Sequence, residues 1–148
     1  MKANRLSLTL LAVVGGALAC SQSAQDPASF TIVEDAVFLS LDRQPQAVMD
    51  ALFNGRIVLD DDGCLRTDSG DRPTIVWPHG YRLESDGGVL RVVNAQGGVA
   101  GRIGGSFRLG GGEVPMLHSG IEMSADDRAR AASRCPGRFW ITGDVLSP

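Results

Sequence analysis

The chain has 148 residues, a formal net charge of −3 and 43% apolar residues. Its only lysine is Lys2, so the body of the chain lacks the ammonium that Schiff-base chemistry and phosphate-binding P-loops need. The acidic balance argues against nucleic acid as a partner, and the apolar content is that of a folded domain rather than a disordered chain.

The N-terminus reads as an export signal. Lys2 and Arg5 form a short positive region, and residues 6–19 are apolar apart from Ser7 and Thr9. That stretch is too short for a permanent membrane helix. It ends in Ala17-Leu18-Ala19-Cys20, which resembles the lipobox of bacterial lipoproteins, with Ala17 standing where that family prefers Leu. The resemblance implies cleavage before Cys20 and lipidation of its thiol. It also implies, with Ser21 next, sorting to an outer membrane facing the periplasm if the cell has one, and otherwise the outer face of the plasma membrane. The same residues also fit the A-x-A site of ordinary signal peptidase, which would cut at the same bond. Loss of residues 1–19 takes Lys2 and Arg5 with it, so the net charge falls from −3 to −5. Residues 20–29, small and polar after Cys20, read as a tether, and residues 30–148 as one β-rich domain.

Cysteine counting points the same way. Of Cys20, Cys64 and Cys135, lipidation of the first leaves two, which can close one disulfide in an oxidising envelope. Closing that 71-residue separation contributes about 4.4 kcal/mol in the chain-entropy view. No C-x-x-C spacing exists to suggest a redox motif.

Within the domain, glycines punctuate short aliphatic runs, the pattern of a meandering β-fold. Gln46 to Phe53 has Val48, Met49, Leu52 and Phe53 at helical spacing after Pro45; the alternative is a strand running from Ala51 into Ile57. Arg56–Leu59 leads through Asp60-Asp61-Asp62-Gly63 into Cys64–Arg66, a hairpin. Pro73–Trp77 reads as a short strand, Gly80–Glu84 as a half-exposed one. Asp86-Gly87-Gly88 turns the chain into Val89–Val93. Val99–Ile103 and Ser106–Leu109 follow, and Gly110-Gly111-Gly112 reads as a turn or bulge. Ser124 to Arg134 is the better helix: Ser124 caps it, Asp126 and Asp127 lie in its first turn, and Pro136-Gly137 stops it. Arg138 to Leu146 is the last strand. These elements predict a small Gly-rich barrel of OB-like or Greek-key type with one helix near the C-terminus, and a two-layer sandwich as the alternative.

Gly55-x-Ile57, Asp62 to Arg66, Val76-Trp77-Pro78-x-Gly80-Tyr81, Gly110 to Glu113 and Cys135-Pro136-Gly137-x-x-Trp140 look like a group of small exported bacterial β-domain proteins without an assigned activity. That resemblance spans roughly residues 50–145 and implies a shared fold and a paired Cys64 and Cys135, with no chemistry attached.

No catalytic motif stands out. His79 and His118 lie in turns, with no ligand spacing for a metal. Ser119 adjoins His118 without a nucleophile elbow. Asp60, Asp61 and Asp62 lack the EF-hand pattern and read as a solvated turn. Glu113 could pair with Glu122 or Asp144 for glycoside chemistry, but nothing fixes their distance. Trp77, Tyr81, Phe107, Phe139 and Trp140 could stack on a ligand, although Trp77 and Trp140 read first as core. Arg82, Arg91, Arg102 and Arg108 alternate with apolar residues and could form one cationic stripe. The candidate ligand-binding residues are therefore Arg82, Arg102, Arg108 and Trp77, with no catalytic set, cofactor or metal. The sequence reading is a non-enzymatic, lipid-anchored domain that binds an envelope protein or glycan. The alternatives are a barrel binding an anion, metal or other small molecule and, behind it, a hydrolase.

Overall fold

The computed structural model describes residues 29–47 and 49–146. The expected signal peptide, Cys20 and the tether up to residue 28 lie outside the described residues. Ten strands and one helix follow in chain order. They are β1 (Phe30–Val33), β2 (Ala36–Ser40), β3 (Ala51–Leu59), β4 (Leu65–Thr67), β5 (Thr74–Trp77), β6 (Arg82–Asp86), β7 (Val89–Val93), β8 (Val99–Arg102), β9 (Ser106–Val114), α1 (Ala125–Arg134) and β10 (Phe139–Leu146).

Five strands close a ring in the order β3-β4-β5-β10-β9 and back to β3. This is the small barrel that the sequence predicts, and closure removes the edges that an open sheet would expose. All neighbours in the ring are antiparallel except β5 and β10, which run parallel. On its other side β5 meets β4 at Thr74 and β2 at Val76 and Trp77. Every residue of β5 is buried, which is why Thr74-Ile75-Val76-Trp77 shows a continuous run and not polar alternation.

Burial on both faces of β5 and β10 creates two cores. Inside the barrel, Ile57, Leu65, Ile75, Trp77, Phe107, Leu109 and Trp140 pack together with Phe38 of β2 and with Leu83 and Val92 of the separate sheet β6-β7-β8. Outside it, Val76, Phe139 and Ile141 pack beneath Phe30, Leu39, Met123 and Ala131, so β1, β2 and α1 cover that wall. The disulfide Cys64–Cys135 lies in this second core with both cysteines fully buried, its Cα atoms 5.8 Å apart.

The closest approach of the meander β6-β7-β8 to the Phe107 ring is at Gly101. Gly101 of β8 stands opposite Val92, and a Cβ at Gly101 would lie 2.4 Å from the Phe107 ring. Phe107 in turn meets Trp77 edge-on at 5.4 Å, and Trp77 stacks on Phe38 at 5.8 Å. Rings in these arrangements gain about 0.5–1.5 kcal/mol per pair beyond their area.

Three segments depart from the sequence reading. The helix considered for Gln46 to Phe53 does not form; the strand alternative holds, because Ala51 to Arg56 pairs with β9 and pairing outweighs a weak local preference. Gly110-Gly111-Gly112 is not a turn but the middle of β9. A Cβ at Gly111 would sit 2.0 Å from the Ile141 carbonyl oxygen, so glycine is what lets β9 and β10 approach. The ladder shifts register between Thr142 and Asp144, so the bulge falls on β10, at Gly143. Finally, the sequence reading assigned no structure to Phe30–Ser40, which forms a hairpin. Its turn uses Glu34 and Asp35 at φ of 47° and 68°, the left-handed geometry of a tight hairpin without its usual Asn-Gly signature.

The helix and first hairpin match expectation in detail. Ser124 Oγ accepts the Asp127 amide at 3.0 Å. In the Asp60–Gly63 turn Asp61 and Asp62 are exposed, as a solvated turn requires, while Asp60 is half-buried and bonded. Asp60 accepts from the Asp62 amide at 3.1 Å, from the Cys64 amide at 2.7 Å and from the Arg66 guanidinium. Burial pushes the Asp60 carboxyl up, but the Cys64 amide, the Arg66 guanidinium and the Asp62 amide together outweigh it and hold its pKa below the usual carboxylate value.

Two outcomes follow from this packing. Gly101→Ala drives a methyl into the Phe107 ring, so the urea midpoint falls by the equivalent of about 1–3 kcal/mol. The Asp60 contribution is complete above the unfolded carboxylate pKa of about 4 and is lost as pH falls through the lower folded value. Asp60→Asn therefore lowers stability at pH 7 and makes the acid limb of the stability–pH curve shallower, as denaturant melts at stepped pH will show.

Candidate functional site

A polar cleft forms where the barrel meets the meander. Its first wall is the turn after β5, Pro78-His79-Gly80-Tyr81. Gly80 has φ of 80°, the Tyr81 amide donates to the Pro78 carbonyl at 3.2 Å, and His79 Nδ1 lies 3.2 Å from the Leu41 carbonyl oxygen. The second wall is the β7–β8 turn. There Asn94 Oδ1 accepts the Gln96 and Gly98 amides at 3.0 and 2.8 Å, which fixes Ala95 and Gln96 in place. Glycine at position 80 brings the two walls together, since a Cβ there would lie 2.8 Å from the Ala95 Cβ. The third wall is β10 past its bulge. A bulge re-aims the side chains that follow it, and here Asp144 reaches the cleft beside Gly143 and Val145.

Gln44 completes a space of about 360 Å³, within the range that holds small ligands. The Tyr81 ring packs half-buried against the barrel core. Burial pushes the Tyr81 phenol up, and the nearby Asp144 carboxylate pushes it further in the same direction. Tyr81 is thus a neutral hydrogen-bond donor at physiological pH, with Asp144 an acceptor beside it. A shallower groove of about 250 Å³ shares Gly143 and Asp144 and continues past Met49, Leu52 and Leu146, all three exposed.

The residues singled out in the sequence fall elsewhere. Trp77 is fully buried at the barrel centre, so its ring offers no face to a ligand at the surface. Arg82 and Arg91 flank Glu84, and Arg91 also reaches Asp86. Arg102 is the register partner of Arg91 across β7 and β8. Arg108 lies on β9 of the barrel, opposite Asn54 and Leu146. The four arginines therefore do not form one stripe: three share the outer face of the meander, and Arg108 belongs to another sheet.

The other polar groups are dispersed. Glu113 pairs with Arg138, not with a second carboxylate. Its ladder partner is Trp140 while that of Asp144 is Gly110, placing Glu113 and Asp144 about 10 Å apart along β9. His118 Nδ1 accepts the Gly120 amide at 3.1 Å. A second cleft, about 230 Å³, holds Asp42, Arg43, Ser119, Glu122 and Arg128. Arg128 there donates to the Ile121 and Met123 carbonyls and braces its own loop. Among the described residues, no three His, Cys, Asp or Glu side chains gather as a metal-ligand set.

Sequence reasoning named Tyr81 only as one of several aromatics, and Asp144 only as a possible partner of Glu113. Gln44 and Gln96 went unnoticed. The bulge at Gly143 carries no sequence signature beyond a glycine late in the last strand. No protein-family model, curated protein or solved structure matches the chain.

The protein has one tyrosine, so its phenol can be titrated alone by ultraviolet absorbance. The midpoint lies above the ordinary value of about 10, and Asp144→Asn moves it back toward that value while the burial contribution stays.

Proposed function

We propose that the chain is an exported, lipid-anchored and non-enzymatic binding domain, and that the Tyr81–Asp144 cleft holds a neutral saccharide of the cell envelope. The observation that carries the reading is the make-up of the cleft. It combines one aromatic ring, two carboxamides, the His79 imidazole, a phenol held in its donor form and one carboxylate acceptor. Sugars present hydroxyl groups that both give and accept hydrogen bonds, and C–H faces that lie against aromatic rings. Gln44, Gln96 and Asp144 answer the first property and Tyr81 the second.

The envelope location rests on Lys2, Arg5, the apolar residues 6–19 and Ala17-Leu18-Ala19-Cys20, together with a buried disulfide suited to an oxidising compartment. Two or more acyl chains on residue 20 hold a protein stably, since each buried methylene contributes about 0.8 kcal/mol. A rigid closed barrel on a tether suits a binder: the frame pre-organises the cleft, so little ordering cost is left for the ligand.

Thermal-shift measurements on the mature protein in detergent, against neutral oligosaccharides and soluble peptidoglycan fragments, test the cleft. A cognate sugar at 100 times its Kd stabilises the fold by about 2.7 kcal/mol, and Asp144→Asn with Gln96→Ala removes most of that gain. Stabilisation that survives the double substitution, or none across the whole panel, overturns the saccharide reading. Intact mass of the mature protein tests the anchor: an unmodified Cys20 thiol overturns it.

A further inference from the structure

The outer face of the meander carries an arrangement that the saccharide cleft does not use. Arg91 and Arg102 are direct register partners on adjacent strands, and like charges placed so repel each other. Glu84 and Asp86 offset only part of this. Glu84 is shared between Arg82 at 2.8 Å and Arg91 at 3.3 Å, and Asp86 meets Arg91 at 2.8 Å. Arg102 makes no ion pair among the described residues. Three guanidinium groups thus face two carboxylates, a local cationic excess on a chain whose overall charge is −3. Arg91 is also held half-buried, its two terminal nitrogens on Asp86 and Glu84 and its Nε–H buried without an acceptor among the described residues, so its guanidinium is fixed in place at the edge of the recess. Between Arg91, Arg102, Val89 and Asp86 lies a recess of about 100 Å³. It has room for one oxyanion group and little more.

We infer that this recess is a phosphate-binding site, in which a phosphate or phosphate ester bridges the guanidinium groups of Arg91 and Arg102. A tetrahedral oxyanion presents separate oxygens to two forked donors, and charge-assisted hydrogen bonds of this kind are about twice as strong as neutral ones. Bound phosphate also removes the repulsion across β7 and β8. Glu84 and Asp86 have a second role in this arrangement: they hold Arg91 rigid, so Arg102 is the arm left to close on the ligand. Asp86 and Val89 lie at the opposite end of β7 from the Gln96 turn, about 14 Å away along the strand. The site is therefore separate from the saccharide cleft, and its test does not depend on that reading.

Side-chain Nε–H spectra of the ¹⁵N-labelled mature protein in detergent, titrated with inorganic phosphate at constant ionic strength against chloride, give the direct readout. The expected result is a saturable shift at Arg91 and Arg102, lost at Arg91 in Arg102→Gln with affinity down at least tenfold, and unchanged in Arg108→Gln. Phosphate should also raise the melting midpoint of the wild type and not that of Arg102→Gln. Vesicle sedimentation then names the source. Arg102-dependent binding of the unlipidated protein to phosphatidylglycerol over phosphatidylcholine assigns the phosphate to a lipid headgroup; phosphate shifts without vesicle binding assign it to a soluble ester. Both outcomes support the site. Shifts that are linear, matched by chloride, or retained in Arg102→Gln overturn it.

Discussion

The ring of strands closes at its weakest member. β4 is three residues long and meets β5 through one register pair, Arg66 with Thr74, so backbone hydrogen bonding alone gives that seam little strength. Arg66 supplies the remainder. Its guanidinium pairs with Asp60 in the turn before β4, donates to the Arg72 carbonyl at 3.3 Å in the turn before β5, and donates to the Pro136 carbonyl at 3.0 Å ahead of β10. One side chain thus ties together the approaches to three of the five barrel strands. The disulfide runs alongside, joining Cys64 before β4 to Cys135 before β10. An ion pair this shielded is costly to break from one side, because the remaining charge is left without its partner.

The two-core arrangement follows once the ring is shut. β5 and β10 run parallel at the centre of the sheet, and each contributes one face to the barrel interior and one to the layer under α1. The interior face ends at Trp77 and Phe107, and Gly101 allows the meander to settle there. That settling sets the distance between the β7–β8 turn and the turn after β5, which form two of the three cleft walls. The third comes from the bulge at Gly143. The cleft is therefore a product of how two sheets meet and not of any contiguous motif.

Features governed by local chemistry were legible in the sequence. The Asp62-Gly63 turn, the Ser124 cap, the Asp126 and Asp127 first turn, and the Arg-alternating strands of the meander all report backbone preferences within a few residues. Features governed by distant partners were not. Nothing local distinguishes Gly110-Gly111-Gly112 as strand from the same triplet as turn; the decision is made by the Ile141 carbonyl 30 residues onward. Gln46 to Phe53 has helical spacing, and β9 overrides it. Glu34-Asp35 makes a hairpin turn that its residue types do not advertise, with the Val37 amide bonded to the Gly63 carbonyl at 2.7 Å beside it. The same division holds for the site. Alternation correctly placed Arg82 and Arg102 on an outward face, and Trp77 read first as core, but the sequence could not say that Arg91 and Arg102 stand opposite each other or that Arg108 belongs to a different sheet.

The covalent bond between residues 64 and 135 encloses β4 through β9 and all of α1, and with them two of the three cleft walls. The exposed tips of the meander, Gly87-Gly88 and Gly97-Gly98, lie inside that loop. A protease that clips either tip would leave both pieces fastened to each other, with every barrel strand still in its place. Such a molecule carries a severed backbone and remains one body until its sulfurs are reduced.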